Sequence, residues 1–84
     1  MSILKMPVCM ITGLGEGTGG HTARRFAKAG YRIAMLARTE ERLRKFEKEL
    51  PGSKGYICDV SDIKNLENIC KKIKKEMSAP EVLI

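Results

Sequence analysis

Four short apolar runs alternate with three segments of helical period along this 84-residue chain, and that alternation leaves very few folds open to it. Pro7 to Thr12, PVCMIT, is apolar and runs straight into glycines, as a strand buried on both faces does. Ala23, Phe26 and Ala27 follow at i, i+3 and i+4 on one helical face, and Gly30 supplies the stop. Tyr31 to Ala37, YRIAMLA, reads as a second strand. Thr39 is a capping residue type, and Glu40 and Glu41 suit the positive end of a helix dipole. Leu43, Phe46 and Leu50 give the helix from Thr39 to Leu50 its apolar stripe, and Pro51 and Gly52 end it. GYICDV, Gly55 to Val60, is the third strand. Ile63, Leu66, Ile69, Cys70, Ile73 and Met77 form the clearest helical stripe, over Asp62 to Met77. Pro80 closes that helix, and EVLI, Glu81 to Ile84, opens a fourth strand.

Strands joined by helical crossovers run parallel, and such crossovers are almost always right-handed. The expected product is an open α/β sheet in the order 3-2-1-4 with helices on both faces. No linker, repeat or low-complexity tract divides the chain, so residues 1–84 are expected to form one small domain. A chain of this length buries only about 60–65% of its unfolded surface, so its core is marginal.

Composition removes several classes of function. With 43% hydrophobic and 31% charged residues the chain is that of a soluble globular protein. Its longest uncharged apolar run, around Met6 to Ile11, is far too short to span a bilayer. The N-terminus has no signal-peptide pattern, which makes a cytoplasmic location the expectation. Cys9, Cys58 and Cys70 are odd in number and lack metal-type spacing, and are expected to be reduced, buried or half-buried thiols. The net charge of +6 raises nucleic-acid binding. Most basic residues, however, fall in the last two helical segments among Glu40, Glu41, Glu47, Glu49, Glu67 and Glu76, the pattern of solvated helix faces. No zinc-finger or aromatic RNA-binding motif accompanies them.

The stretch Ile11 to Gly30, ITGLGEGTGGHTARRFAKAG, carries glycine at 13, 15, 17, 19 and 20, directly after the first strand and directly before the first helix. Glycine lets a backbone turn tightly and lets a phosphate approach without a Cβ in the way, and the helix then offers free N–H groups. Two frames fit. Gly15, Gly17 and Gly20 match G-x-G-x-x-G; Thr12, Gly13, Gly17 and Gly19 match T-G-x-x-x-G-x-G. The second is preferred, because the first leaves two residues idle between strand and turn.

ITGLGEGTGGHTARRFAKAGYRIAMLAR, with CDVSD after it, resembles the N-terminal part of a short-chain dehydrogenase/reductase from Pro7 to Ile84. The resemblance implies a Rossmann-type sheet and a glycine turn around the pyrophosphate of a nicotinamide dinucleotide, at Gly13, Gly17 and Gly19. Gly15, Glu16 and Thr18 belong to the same loop. Thr18 stands where the family often has an aliphatic residue, and the Glu16 carboxylate is expected to point to solvent. At the end of the second strand an acidic residue would accept hydrogen bonds from a free ribose 2′-hydroxyl, whereas an arginine suits a 2′-phosphate. The chain has Arg38 and then Thr39 there, which favours NADP over NAD. By the resemblance, Asp59 contacts the adenine amino group and Val60 packs on the ring. His21 is assigned no chemistry.

The resemblance also implies an N-N-A-G-like segment past the fourth strand, then a catalytic serine and a Y-x-x-x-K pair. Tyr31 is followed four residues later by Met35 and Tyr56 by Val60, so neither opens such a pair. The chain is therefore expected to be an NADP-binding module, truncated before the catalytic segment and unable to transfer hydride alone. The alternative is an interaction fragment that associates with itself or with another chain of the family. An unpaired fourth-strand edge and uncovered apolar surface favour association.

Overall fold

In the computed structural model, which describes residues 6–12 and 18–84, the apolar runs pair as one parallel sheet. The elements are β1 (Val8–Ile11), α1 (Thr18–Lys28), β2 (Arg32–Ala37), α2 (Glu40–Glu49), β3 (Lys54–Ile57), α3 (Ile63–Glu76) and β4 (Val82–Leu83). The sheet order is β3-β2-β1-β4, as the alternation requires. Cys9 pairs with Ile33 on one side and Val82 on the other, and Leu36 pairs with Tyr56.

Alternation along the strands divides the core in two. Cys9, Ile11, Ile33 and Met35 face Ala23, Leu43, Phe46 and Leu50 from α1 and α2. Val8, Met10, Ala34, Leu36, Tyr56 and Cys58 face the opposite way, onto Ile73 of α3. Both faces of β1 and β2 are buried, which is why those strands read as unbroken apolar runs.

The first helix ends as its sequence predicts. Gly30 takes φ of +100°, the Tyr31 N–H donates to Phe26 O and the Gly30 N–H to Ala27 O. The rings of Phe26 and Tyr31 close the motif edge to face at 5.2 Å.

Three expectations need correction. The third strand stops at Ile57 rather than Val60: Cys58 N still donates to Ala37 O, but Asp59 then draws the Ser61 N–H onto its own carboxylate and turns the chain. The fourth strand is only Val82–Leu83, although Glu81, Ile84 and Thr12 extend its bonding to β1. Thr39 occupies the N-cap of α2, yet its side chain makes no capping bond. Asp62 does cap α3, accepting from the Asn65 N–H at 3.1 Å. The α3 stripe is only partly covered, in line with the uncovered apolar surface expected from the sequence. Ile73 is buried, Leu66, Ile69, Cys70 and Met77 are half-buried, and Ile63 is 70% exposed. Two helices share the other face of the sheet, whereas α3 alone covers this one among the described residues.

Arg32 is 5% exposed at the start of β2. Its guanidinium donates to Met6 O, Met77 O and Ser78 Oγ, tying the approach to β1 to the turn between α3 and β4. Among the described residues, no helix is long and apolar enough to cross a membrane.

Candidate functional site

Parallel strands deliver their connecting loops to one edge of the sheet, so the residues after β1, β2 and β3 converge at the carboxyl ends. Strand order reverses beside β1, where open α/β sheets form their binding crevices. Thr12 sits at this corner and binds β1 to β4 twice, its N–H donating to Ile84 O at 2.9 Å and its hydroxyl to the same oxygen at 3.1 Å. Gly13, Gly15, Glu16 and Gly17 lie outside the described residues. Thr18 and Gly19 open α1, and Gly20 is buried in its first turn.

Next to this corner is a hollow of about 480 Å³. Leu36, Ala37 and Val60 give it an apolar surface, and Arg38, Thr39 and Asp59 give it a polar one. The structure thus brings together all four residues expected from the ends of the second and third strands. A hollow of this volume suits a small-molecule ligand.

The Asp59 carboxylate is held in place by its own turn. Oδ1 accepts the Ser61 hydroxyl at 2.7 Å and the Ser61 N–H at 3.0 Å, while the Asp59 N–H donates to Asn65 Oδ1 at 3.1 Å. The Ser61 hydroxyl, then its N–H, pull the Asp59 carboxyl below its ordinary value against a small cost of burial, and the nearby Arg38 charge adds to the pull. Asp59 is therefore an anion and an acceptor. Burial pushes the Cys58 thiol up, so this wall residue is a packing group and a poor nucleophile.

Three participants were missed by the sequence reading. Arg42 lines the hollow, and Ser61 and Asn65 orient Asp59. Arg42 lies four residues after Arg38 and three after Thr39, the spacing that brings a first-turn side chain back beside the cap. A second hollow, over the outer face of α2, is lined by Glu40, Glu41, Arg44, Lys45, Lys48 and Glu49 of that one helix. It is space between long side chains, with Arg44 paired to Glu40 and Glu47. No group of three or more metal-ligating side chains occurs among the described residues.

A doubly covered parallel sheet with a charged hollow at its carboxyl edge defines the class of α/β nucleotide-binding domains. The profile of the family described as short chain dehydrogenase matches residues 7–84. The chain belongs to that family. It is 27% identical over 86 residues to the NADPH-dependent pterin aldehyde reductase of Arabidopsis thaliana, covering 99% of this chain and 36% of that protein. Its fold matches a single-substitution variant of the actinorhodin polyketide ketoreductase with NADPH at a TM-score of 0.89 and 32% identity, over 99% of this chain and 33% of the other. It matches NAD+-bound xylitol dehydrogenase at a TM-score of 0.86 and 28% identity, over 92% and 31%. The chain therefore spans about a third of the length of these relatives.

Proposed function

We propose that this chain binds NADP by its adenosine half, with the ribose 2′-phosphate at Arg38 and Thr39 and the adenine edge at Asp59. The observation that carries this reading is the hollow, where arginine, hydroxyl, carboxylate and aliphatic groups converge at the ends of β2 and β3. That donor set fits the ligand: charge-assisted donors for a phosphate, an anionic acceptor for an amino group, and Val60 for a ring face. Similar solved structures hold NADPH, NADP or 5-hydroxy-NADP in three cases and NAD+ in one, so the relatives favour NADP, but family membership alone does not choose between them. Arg38 does, since it stands where an acidic residue would recognise a free 2′-hydroxyl. Gly13, Gly17 and Gly19 are assigned to the pyrophosphate, with Gly15, Glu16 and Thr18 in the same loop at the start of α1 and the Glu16 carboxylate turned to solvent.

When bound, NADP(H) supplies a hydride donor or acceptor; the residues of this chain bind and orient its adenosine end. Residues 1–84 act in this proposal as one cofactor-binding unit of an oxidoreductase and turn nothing over by themselves. Tyr56 is unsuited to proton transfer because its hydroxyl donates to Glu76 at 2.9 Å, and burial followed by that bond pushes its phenol well above the ordinary range. Tyr31 packs on Phe26. Three free cysteines suit a reducing compartment, and the cytoplasm is the proposed setting. A second reading, association with another copy or another chain of the family, is favoured by Leu83 on β4, which is 68% exposed, beside the exposed Ile84. Cofactor affinity separates the two readings, and sedimentation velocity across a concentration series separates monomer from assembly.

Calorimetric titration tests the first. Saturable binding that favours NADP over NAD is expected, and Arg38→Ala should weaken NADP by about 10- to 100-fold while leaving NAD within a few-fold. Equal loss for both cofactors would remove the 2′-phosphate from Arg38.

A further inference from the structure

We propose that Arg42 is a second anion-binding residue of the hollow and a determinant of preference for a 2′-phosphorylated ribose. The inference rests on the adenosine reading above and adds to it a residue on a different element. Arg42 lines the hollow together with Arg38, so two arginines and one aspartate line it, and the Oδ1 atom of that aspartate already serves Ser61. The hollow is net positive.

Helical spacing explains why no acidic neighbour neutralises Arg42. The residues at i−4 and i−3 are Arg38 and Thr39, and those at i+3 and i+4 are Lys45 and Phe46. Arg44, two residues on, is placed differently: Glu40 lies at i−4 and Glu47 at i+3, and it bonds to both. Glu40 and Glu47 are thus engaged by Arg44, and Arg42 is left on the side of the hollow. Its position also runs against local electrostatics. A cation in the first turn opposes the helix dipole, and a second arginine four residues back adds like-charge repulsion. An anion between the two guanidinium groups reverses both effects. Disagreement between a local rule and the observed residue is the pattern expected where a ligand completes the site.

Adenosine 2′,5′-bisphosphate and adenosine 5′-monophosphate differ only in the 2′-phosphate and need no nicotinamide pocket, which makes them the probes for calorimetric titration. The unsubstituted chain should prefer the bisphosphate. Arg42→Gln should cost the bisphosphate about five- to tenfold and leave the monophosphate within about twofold, an effect that narrows at high salt. Arg42→Lys should recover part of the loss. Lys48→Gln removes the same charge from α2 away from the hollow and should change neither ligand. Thermal melts confirm that each variant is folded, as expected for exposed positions. If the unsubstituted chain prefers the bisphosphate and Arg42→Gln keeps that preference, or if Lys48→Gln lowers it equally, Arg42 has no specific role and the adenosine reading stands. If the unsubstituted chain shows no preference, both fall together.

Discussion

Two glycines outside the cluster at positions 13–20 show how differently one residue type can be required. Gly30 has open space where a Cβ would go, but its φ of +100° strains any L-residue with a side chain. Gly55 has no such backbone demand. A Cβ there would sit 2.6 Å from Leu43 Cβ, an atom fixed to the backbone of α2, at the point where helix and strand meet. Its N–H also donates to Glu47 Oε2 at 2.7 Å, which holds the two elements together. Gly30→Ala should therefore cost about 1 kcal/mol through the backbone. Gly55→Ala should cost about 1–3 kcal/mol through displacement of α2. Urea denaturation followed by circular dichroism measures both, and a Gly55→Ala midpoint equal to that of the parent chain would refute the close approach.

At the scale of elements, caps separate stability from binding. Asp62 accepts the Asn65 N–H, so Asp62→Ala should lower stability by about 1 kcal/mol. Thr39 makes no capping bond, so Thr39→Ala should leave the urea midpoint within about 0.5 kcal/mol of the parent while weakening NADP. A large loss of stability in Thr39→Ala would return the residue to a purely structural role. The sequence did not distinguish these two positions, because both carry good capping types and only the side-chain rotamer decides which one bonds. Element order was legible throughout, since strand and helix periods differ and every change of period but the one at Arg38 and Thr39 is marked by Gly, Pro or Asp. Strand ends were not, because Asp59 competes with the ladder for a nearby N–H. The α3 stripe announced an apolar face, but periodicity carries no information about what covers it. Arg38 and Thr39 were legible from their position at the end of the second strand, and Asp59 and Val60 from the family resemblance. Arg42 was not, because a charged residue on a helix reads as solvated until the neighbouring loop is in place.

Across the whole molecule, the same carboxylates that make helix faces polar also join the layers. Glu49 pairs with Arg24 across α2 and α1, and Glu76 binds Lys54 and Tyr56 across α3 and β3. The Arg24 hydrogen bond holds Glu49 below the ordinary carboxylate value, and Lys54, followed by Tyr56, does the same for Glu76. For Glu47, burial raises the value but the Gly55 N–H and Arg44 together outweigh it and leave it lowered. Each of these groups is more acidic folded than unfolded. Their stabilising effect is complete above the unfolded value of 4.5 and is lost as pH falls through the lowered folded values. The urea midpoint should therefore be flat from pH 7 to about 5 and fall steeply toward pH 3. A midpoint unchanged at pH 3 would mean that these contacts hold nothing together. The chain already carries +6 at neutral pH, so protonation adds self-repulsion in the same direction.

Asn65 stands at the junction of these arrangements. Its N–H begins α3 on the Asp62 carboxylate, and its side-chain oxygen accepts the N–H of Asp59 in the wall of the hollow. The first turn of α3 and the rim of the hollow are one clasp, so fraying of that turn loosens the rim, and an occupant that steadies the rim suppresses the fraying. By linkage the coupling runs equally in both directions. The least covered helix among the described residues is thereby joined at its first turn to the wall of the hollow.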